Sequence, residues 1–414
     1  MRVYKILSFS VVVLLITVVF VGGVTIPAAA QYDTMQYRYN AAHAGDYSPL
    51  AGPVASNGQL KWGLTTGSVV LSSPAVSNGV VYVGSDDGNV YALNATTGMK
   101  VWNYTTGGEV YSSPAVSNGV VYVGSENNNV YALNASTGVK VWTYTTGSAV
   151  LSSPAVVNGV VYVGSNDYNV YALNATSGAK VWSFTTGSAV LSSPAVSNGV
   201  VYVGSENNNV YALNATSGAK VWSFTTGNSV LSSPAVANGV VYVGSENNKV
   251  YALNASTGVK VWNYTTGGGV YSSPAVVNGV VYVGSKNNKV YALNATTGMK
   301  VWNYTTGGEV NSSPAVVNGV VYVGSNDYNV YALNATSGAK VWSFTTGAAV
   351  LSSPAVVNGT VYVGGYNSNV YAIGNEAAAT SQGATPGFEV VLAFIGLVFV
   401  GLVIAVYAVK TYRY

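Results

Sequence analysis

Short apolar runs, VVYVG and VYAL, return along this chain every 40 residues, separated by Asn-Gly, Thr-Gly and Asn-rich turns. In the copy that runs from Ser72 to Gly107, the pattern predicts four short strands at 71–76, 80–84, 90–93 and 100–105. Pro74 suits the start of a strand, and Asn78-Gly79 is a strong two-residue hairpin signal. Thr97-Gly98 turns the chain into the fourth strand. VVYVG is apolar on both faces and VYAL nearly so, as expected of sheets covered on both sides. Four-stranded sheets stacked face to face around an axis supply that cover, whereas an open row would leave its end faces wet. The tight antiparallel hairpin argues against a parallel β-helix. The expected fold is all-β, a β-propeller.

The ends of the repeat set the number of blades. Prolines 74, 114, 154, 194, 234, 274, 314 and 354 mark eight inner strands. The eight tryptophans keep the same spacing: Trp62, Trp102, Trp142, Trp182, Trp222, Trp262, Trp302 and Trp342. The last unit stops at VYAIGNE, residues 370–376, with no Trp strand after it, while an orphan Trp strand at 59–65 precedes the first. Pairing 59–65 with the last blade as its outer strand gives eight blades in a ring that its own beginning closes, with no sheet end exposed.

Residues 92–102, Ala-Leu-Asn-Ala-Thr-Thr-Gly-Met-Lys-Val-Trp, resemble the tryptophan-docking motif A-x-D-x-x-T-G-x-x-x-W of the eight-bladed quinoprotein (PQQ-like) propellers. Seven complete copies match over about 320 residues, with Asn for the usual Asp and Ser sometimes for Thr. The resemblance implies that each Trp docks between neighbouring blades. It also covers outer-membrane lipoprotein scaffolds that bind partners without a cofactor. In the enzymes of the family a quinone lies between a Trp floor and an adjacent-Cys disulfide, with a catalytic Asp and Glu/Asn calcium ligands. This chain has no cysteine, its tryptophans are all committed to the repeat, and no blade carries a unique acid set. The expectation is therefore no catalysis and no cofactor, with a quinone- and calcium-dependent dehydrogenase as the alternative.

Composition narrows the function classes. Charged residues are 7% of the chain, a poor stock for acid, base and ion-clamp chemistry. The net charge of +3 is too small and dispersed for nucleic acid, which needs a clustered basic face. The single histidine, His43, has no carboxylate or thiol neighbours that suggest a metal site, and no D-x-D-x-D-G calcium spacing occurs. Arg2 and Lys5, the apolar run 6–21 and Ala28-Ala29-Ala30 read as a signal peptide over 1–30, followed by a leader at 31–58 and the ring at 59–375. A linker at 376–387 leads to an apolar segment at 388–409, of which 390–409 is 20 uncharged residues, long enough to span a bilayer. Lys410 and Arg413 in the tail 410–414 place that end inside. Pro386-Gly387-Phe388 before this span resembles the archaeal PGF-type sorting signal, which implies replacement of the span by a lipid anchor. These features predict a membrane-anchored, extracellular propeller on the cell surface.

The repeats differ at two places, the turn between second and third strands and the link between blades. Both are expected on one ring face, which then carries Asp86, Asp87, Glu109, Glu126, Asp167, Tyr168, Glu206, Glu246, Lys249, Lys286, Lys289, Glu309, Asp327 and Tyr328. Loops on a rigid scaffold tolerate change and hold function, so this is the candidate recognition face for a protein or glycan partner of the cell envelope. The opposite face carries the invariant turns with sequons at Asn94, Asn134, Asn174, Asn214, Asn254, Asn294 and Asn334; further sequons start at Asn103, Asn263, Asn303, Asn311 and Asn358. They read as glycosylation sites, as Asx-turns, or as both.

Overall fold

The computed structural model describes residues 57–375, together with 34–35 and 40. The signal segment, the linker, the apolar C-terminal segment and the tail expected from the sequence lie outside the described residues. Eight antiparallel sheets form the blades, and in blades 1 to 7 the four blade strands follow chain order from the axis outward. Blade 1 comprises Ala75–Ser77, Val80–Gly84, Asn89–Asn94 and Lys100–Thr105, and blades 2 to 7 repeat it at 40-residue intervals. Blade 8 takes its outer strand from Gln59–Thr65, which pairs antiparallel with Asn369–Gly374 in the register Trp62↔Ala372. The ring is thus closed by its own beginning, as the sequence predicts.

The core lies between blades rather than within them. In the seam between blades 2 and 3, Tyr122, Val130, Ala132 and Trp142 face Val156, Val161, Val163, Tyr171 and Leu173. The second and third strands supply both neighbouring seams at once, so Val81, Val83, Val90, Ala92 and Leu93 are all fully buried. This is the two-sided cover that VVYVG demands.

Each Trp fastens one blade to the next. The indole N–H of Trp102 in blade 1 donates to the carbonyl of Ala135 in blade 2 at 2.9 Å, and Trp62 in blade 8 donates to Ala95 in blade 1 at 2.9 Å. The same bond recurs from Trp142, Trp182, Trp222, Trp262 and Trp302. The Trp62 ring lies so close on Gly98 that a Cβ there would sit 2.6 Å from it, which is why the turn needs glycine. Trp342 packs on Gly58 instead, because blade 8 ends before that turn. A register shift between Ala92 and Leu93 lets both Lys100 and Val101 face out while Trp102 turns in.

The inner strand is shorter than the expected 71–76: it begins at Ala75, after the proline, and the third strand is longer, Asn89–Asn94. The serines before Pro74 are used otherwise. Ser72 Oγ accepts the N–H of Gly84 at 3.0 Å within the blade. The N–H of Ser73 donates to Ser113 Oγ in the next blade at 2.9 Å, and the same bond passes from blade to blade until Ser353 returns it to Ser73 at 2.9 Å. Eight such bonds make a closed ring next to the axis. Two residues of the leader reach this inner edge: Thr34–Met35 pairs antiparallel with Ala115–Ser117 of blade 2.

Candidate functional site

The turn after the second strand and the link to the next blade open on one face, as expected. The N–H of Asp86 donates to Val69 O at 3.0 Å, that of Thr106 to Gly88 O at 2.8 Å and that of Glu126 to Glu109 O at 2.9 Å. Each link runs from an outer strand to the next inner strand, so its middle residues lie between rim and axis. All nine acids of residues 57–375 stand on these turns and links, with Lys249, Lys286 and Lys289 among them.

These residues divide by role. Asp87, Asp167 and Asp327 fasten blades together. Asp87 accepts from Gly67 N–H in the preceding link at 2.7 Å, from its own Asn89 N–H at 2.9 Å and from the Tyr91 hydroxyl at 2.6 Å. Asp167 accepts from Gly147 and Asp327 from Gly307 in the same way, at 2.6 and 2.5 Å. Burial works against the charge on Asp87 and Asp167, but the tyrosine hydroxyl and backbone N–H donors hold both carboxyls below the usual carboxylate value. In the five other blades Asn stands here, and its amide donates to the carbonyl of the same link peptide, as Asn127 does to Thr106 O. The peptide therefore faces opposite ways in the two sets. Gly107, Gly187, Gly227, Gly267 and Gly347 have φ of 86° to 97° before Asn, while Gly67, Gly147 and Gly307 before Asp do not have positive φ.

Two polar clusters remain. In blades 1 and 2 the Tyr111 hydroxyl donates to Glu109 at 2.5 Å, beside Asp86 and Glu126. Burial, then Glu109, Glu126 and Asp87, push Asp86 up to about 6, and its buried Oδ1 accepts no hydrogen bond. Across blades 5 to 7 the Tyr271 hydroxyl donates to Glu246 at 2.5 Å, Lys286 Nζ lies 4.1 Å from the Tyr271 ring centre, and Asn311 donates to Glu309 at 3.3 Å. Tyr111, Tyr271 and Asn311 are absent from the expected recognition set. They occupy the repeat position that holds Leu71, Leu151, Leu191, Leu231 and Leu351 elsewhere, and that break in the repeat is the signal that reveals them. Glu206 is exposed on blade 4 between the clusters, Tyr168 and Tyr328 are about half exposed on blades 3 and 7, and Lys249 and Lys289 open third strands.

The sequons are spread over the molecule. Asn94 Oδ1 accepts the N–H groups of Thr96 and Thr97 at 3.0 and 2.9 Å, an Asx-turn that recurs at Asn134, Asn174, Asn214, Asn254, Asn294 and Asn334. These seven lie on the face opposite the acids, as does the hairpin of Asn358, while Asn103, Asn263 and Asn303 are on outer strands and Asn311 is on a loop-face link.

The described residues lack the indole floor that the resemblance implies for a bound pyrroloquinoline quinone. Every indole is in a blade seam, 8–9% exposed, so none is left to floor a quinone at the loop-face mouth. Among the described residues no group of three His, Cys, Asp or Glu is placed to hold a metal ion.

A family model described as outer membrane protein assembly factor BamB matches residues 46–112, 105–193, 166–270 and 265–410. No curated protein sequence matches the chain. Among solved structures, BamB from Moraxella catarrhalis superposes with a TM-score of 0.66 at 20% identity, covering 77% of this chain and 100% of that one. A quinohemoprotein alcohol dehydrogenase from Pseudomonas putida HK5 gives 0.72 at 17% identity over 85% and 81% of the two chains. The computationally designed protein Ika8 gives 0.68 at 17% identity over 77% and 100%. At such identities these structures share the fold and nothing more specific. The family match extends over most of the chain, and the protein belongs to the propeller repeat family described as outer membrane protein assembly factor BamB.

Proposed function

We propose that this protein is a non-catalytic scaffold, anchored in the membrane at the cell surface, whose loop face binds a protein or glycan of the cell envelope. One observation carries the reading: on a ring of nearly identical blades, unlike side chains gather at two places, Asp86/Glu109/Tyr111/Glu126 and Glu246/Tyr271/Lys286/Glu309. An enzyme needs unlike groups converging on one reacting atom. Two separate shallow clusters on a broad rigid face suit a partner that spans both. Membership of a family named for an assembly factor supports a scaffold role, and the uncharged run 390–409 supports the anchor.

The test replaces each cluster in the full chain without changing its size: Glu109→Gln, Tyr111→Phe and Glu126→Gln in one variant, Tyr271→Phe and Lys286→Gln in another. Attachment to envelope fragments is expected to weaken several-fold in each. Unchanged attachment in both would overturn the loop face as the binding surface. Pyrroloquinoline quinone and calcium added to the purified protein are expected to give no bound quinone absorbance and no dye-linked alcohol oxidation; either signal would replace the scaffold by an oxidoreductase.

A further inference from the structure

We propose that the face opposite the acids, the turn face, lies on the anionic headgroups of a lipid bilayer. The proposal rests on the anchored reading above and adds which side of the ring meets the membrane. Charge is sorted by face. With every acid of residues 57–375 on the loop face, the turn-face rim holds Lys100, Lys140, Lys180, Lys220, Lys260, Lys300 and Lys340, all exposed, and Lys61, which reaches Thr360 Oγ1 at 3.0 Å. The outer-strand bulge sets an outward Val beside each of the seven, from Val101 to Val341, at 46–51% exposure. Met99, Val139, Val259 and Met299 stand just before them, 64–70% exposed. Between blades 3 and 4 this face opens a cleft of about 430 Å³ with Val157, Val160, Tyr162, Val181, Val196 and Ala215 in its lining. Ammonium groups over apolar stems and an apolar floor are the composition of a surface that rests in the headgroup layer.

The path of the chain selects the lipid over other anionic partners. Third strands run from the loop face to the turn face, so Asn375, the last described residue of blade 8, leaves the ring on the lysine side, with the N–H of Asn57 donating to its Oδ1 at 3.1 Å. Only residues 376–389 separate it from the uncharged run 390–409. Fourteen residues reach about 50 Å at most. An anchored ring is therefore tethered from its lysine side, and attraction to anionic lipid draws that face in once it comes within roughly a Debye length of 8 Å. The loop face then points away from the membrane toward its partner.

The chain has no cysteine, so single labels are clean. The full chain carrying Met99→Cys, Met299→Cys or Tyr168→Cys is labelled with a fluorophore. It is placed in vesicles of phosphatidylcholine, with or without phosphatidylglycerol, that contain headgroup-nitroxide quencher. Labels at 99 and 299 should be quenched several-fold more than the loop-face label at 168 in anionic vesicles. That difference should fall in about 1 M salt, where screening shortens to ~3 Å, and in the exposed-lysine variant Lys100→Gln, Lys140→Gln, Lys180→Gln. Equal quenching at the three positions, or quenching indifferent to lipid charge, overturns the proposal. So does head-to-tail association of acidic and lysine faces that leaves 99 and 299 unquenched. Sugars on most of the seven turn-face sequons of the mature protein, read by mass spectrometry, would hold this face off the bilayer and also overturn it. Flotation after an alkaline wash reads the anchor separately. If the chain washes off, the anchor fails, and charge-dependent flotation at neutral pH still decides the lysine face.

Discussion

In the three blades where the second residue of the loop-face turn is aspartate, the link peptide of the preceding blade presents its N–H; where it is asparagine, the same peptide presents its carbonyl. One atom on the side chain, O or N, thus selects between two backbone states. Asp167→Asn should turn the Thr146–Gly147 peptide over and bring Gly147 to a positive φ near the 90° of Gly107, with little loss of stability in thermal melts. Asp167→Ala should instead cost roughly 1–3 kcal/mol in denaturant titrations, because the N–H of Gly147 loses its acceptor. The carboxyls of Asp87 and Asp167 are held low, so their stabilisation is complete above the ordinary value of 3.8 and is lost as pH falls through the lower folded value. Asp86 is raised to about 6, which gives the opposite sign: below 3.8 it is neutral in both states, and stability falls as pH rises from there to about 6. Asp86→Asn should raise the melting temperature at pH 7 by about 1–2 °C, a small effect because the group is only partly buried, and leave it unchanged at pH 4. Asp86 and Asp87 read alike in the sequence as loop acids. A backbone N–H 20 residues away makes Asp87 a fastener, while burial and the neighbouring carboxylates of Glu109 and Glu126 make Asp86 a strained charge.

At the scale of elements, the Trp strand is the joint, and one joint differs from the rest. Trp102 to Trp302 fasten blades that the chain also links covalently, while Trp62 fastens blade 8, whose outer strand comes from the other end of the ring. Removing any one of these indoles should cost roughly 3–5 kcal/mol. Trp62→Ala should in addition free Gln59–Thr65, so limited proteolysis is expected to cut first near that strand. Trp182→Ala should melt at a similarly lowered temperature without that early cut; equal cleavage patterns would show that closure by this strand is not the weak joint. The four-strand unit and the closing strand are legible in the sequence because each is written as periodicity, and the docking of Trp is legible through the resemblance of residues 92–102 to a known motif. The bulge that turns Lys100 and Val101 outward together is not, since alternation with period two predicts opposite faces for neighbours. Ser72 and Ser73 are likewise illegible: in a run that reads as a strand they look like ladder residues, whereas the partner of Ser73 is 40 positions on, in another sheet.

On the scale of the whole molecule, that serine ring and the seams outside it share one eightfold spacing. Its eight bonds all measure 2.8–3.0 Å, with Ser273 to Ser313 the shortest and no lengthened member to take up slack. The seams repeat as closely, with each Tyr–Trp ring pair from Tyr82–Trp102 to Tyr322–Trp342 at 5.7–5.9 Å. Blades this alike divide the circle evenly, so each turns by about 45° from its neighbour in an eight-bladed ring. Seven blades would need about 51° at every seam, and the close packing that buries Val81, Val83 and Leu93 completely does not stretch without opening voids. Excising residues 155–194 joins Pro154 to Ala195 and leaves the local sequence of every remaining strand intact. The shortened chain should keep its β content by circular dichroism but fail to close on itself. It is expected to elute as an oligomer in which a second copy fills the open seam, with a broadened thermal transition. A monomer that melts as sharply as the parent would mean that the seams, and not the serine ring, tolerate the change in angle, and that eight is a consequence of how many copies the chain encodes rather than of how they fit.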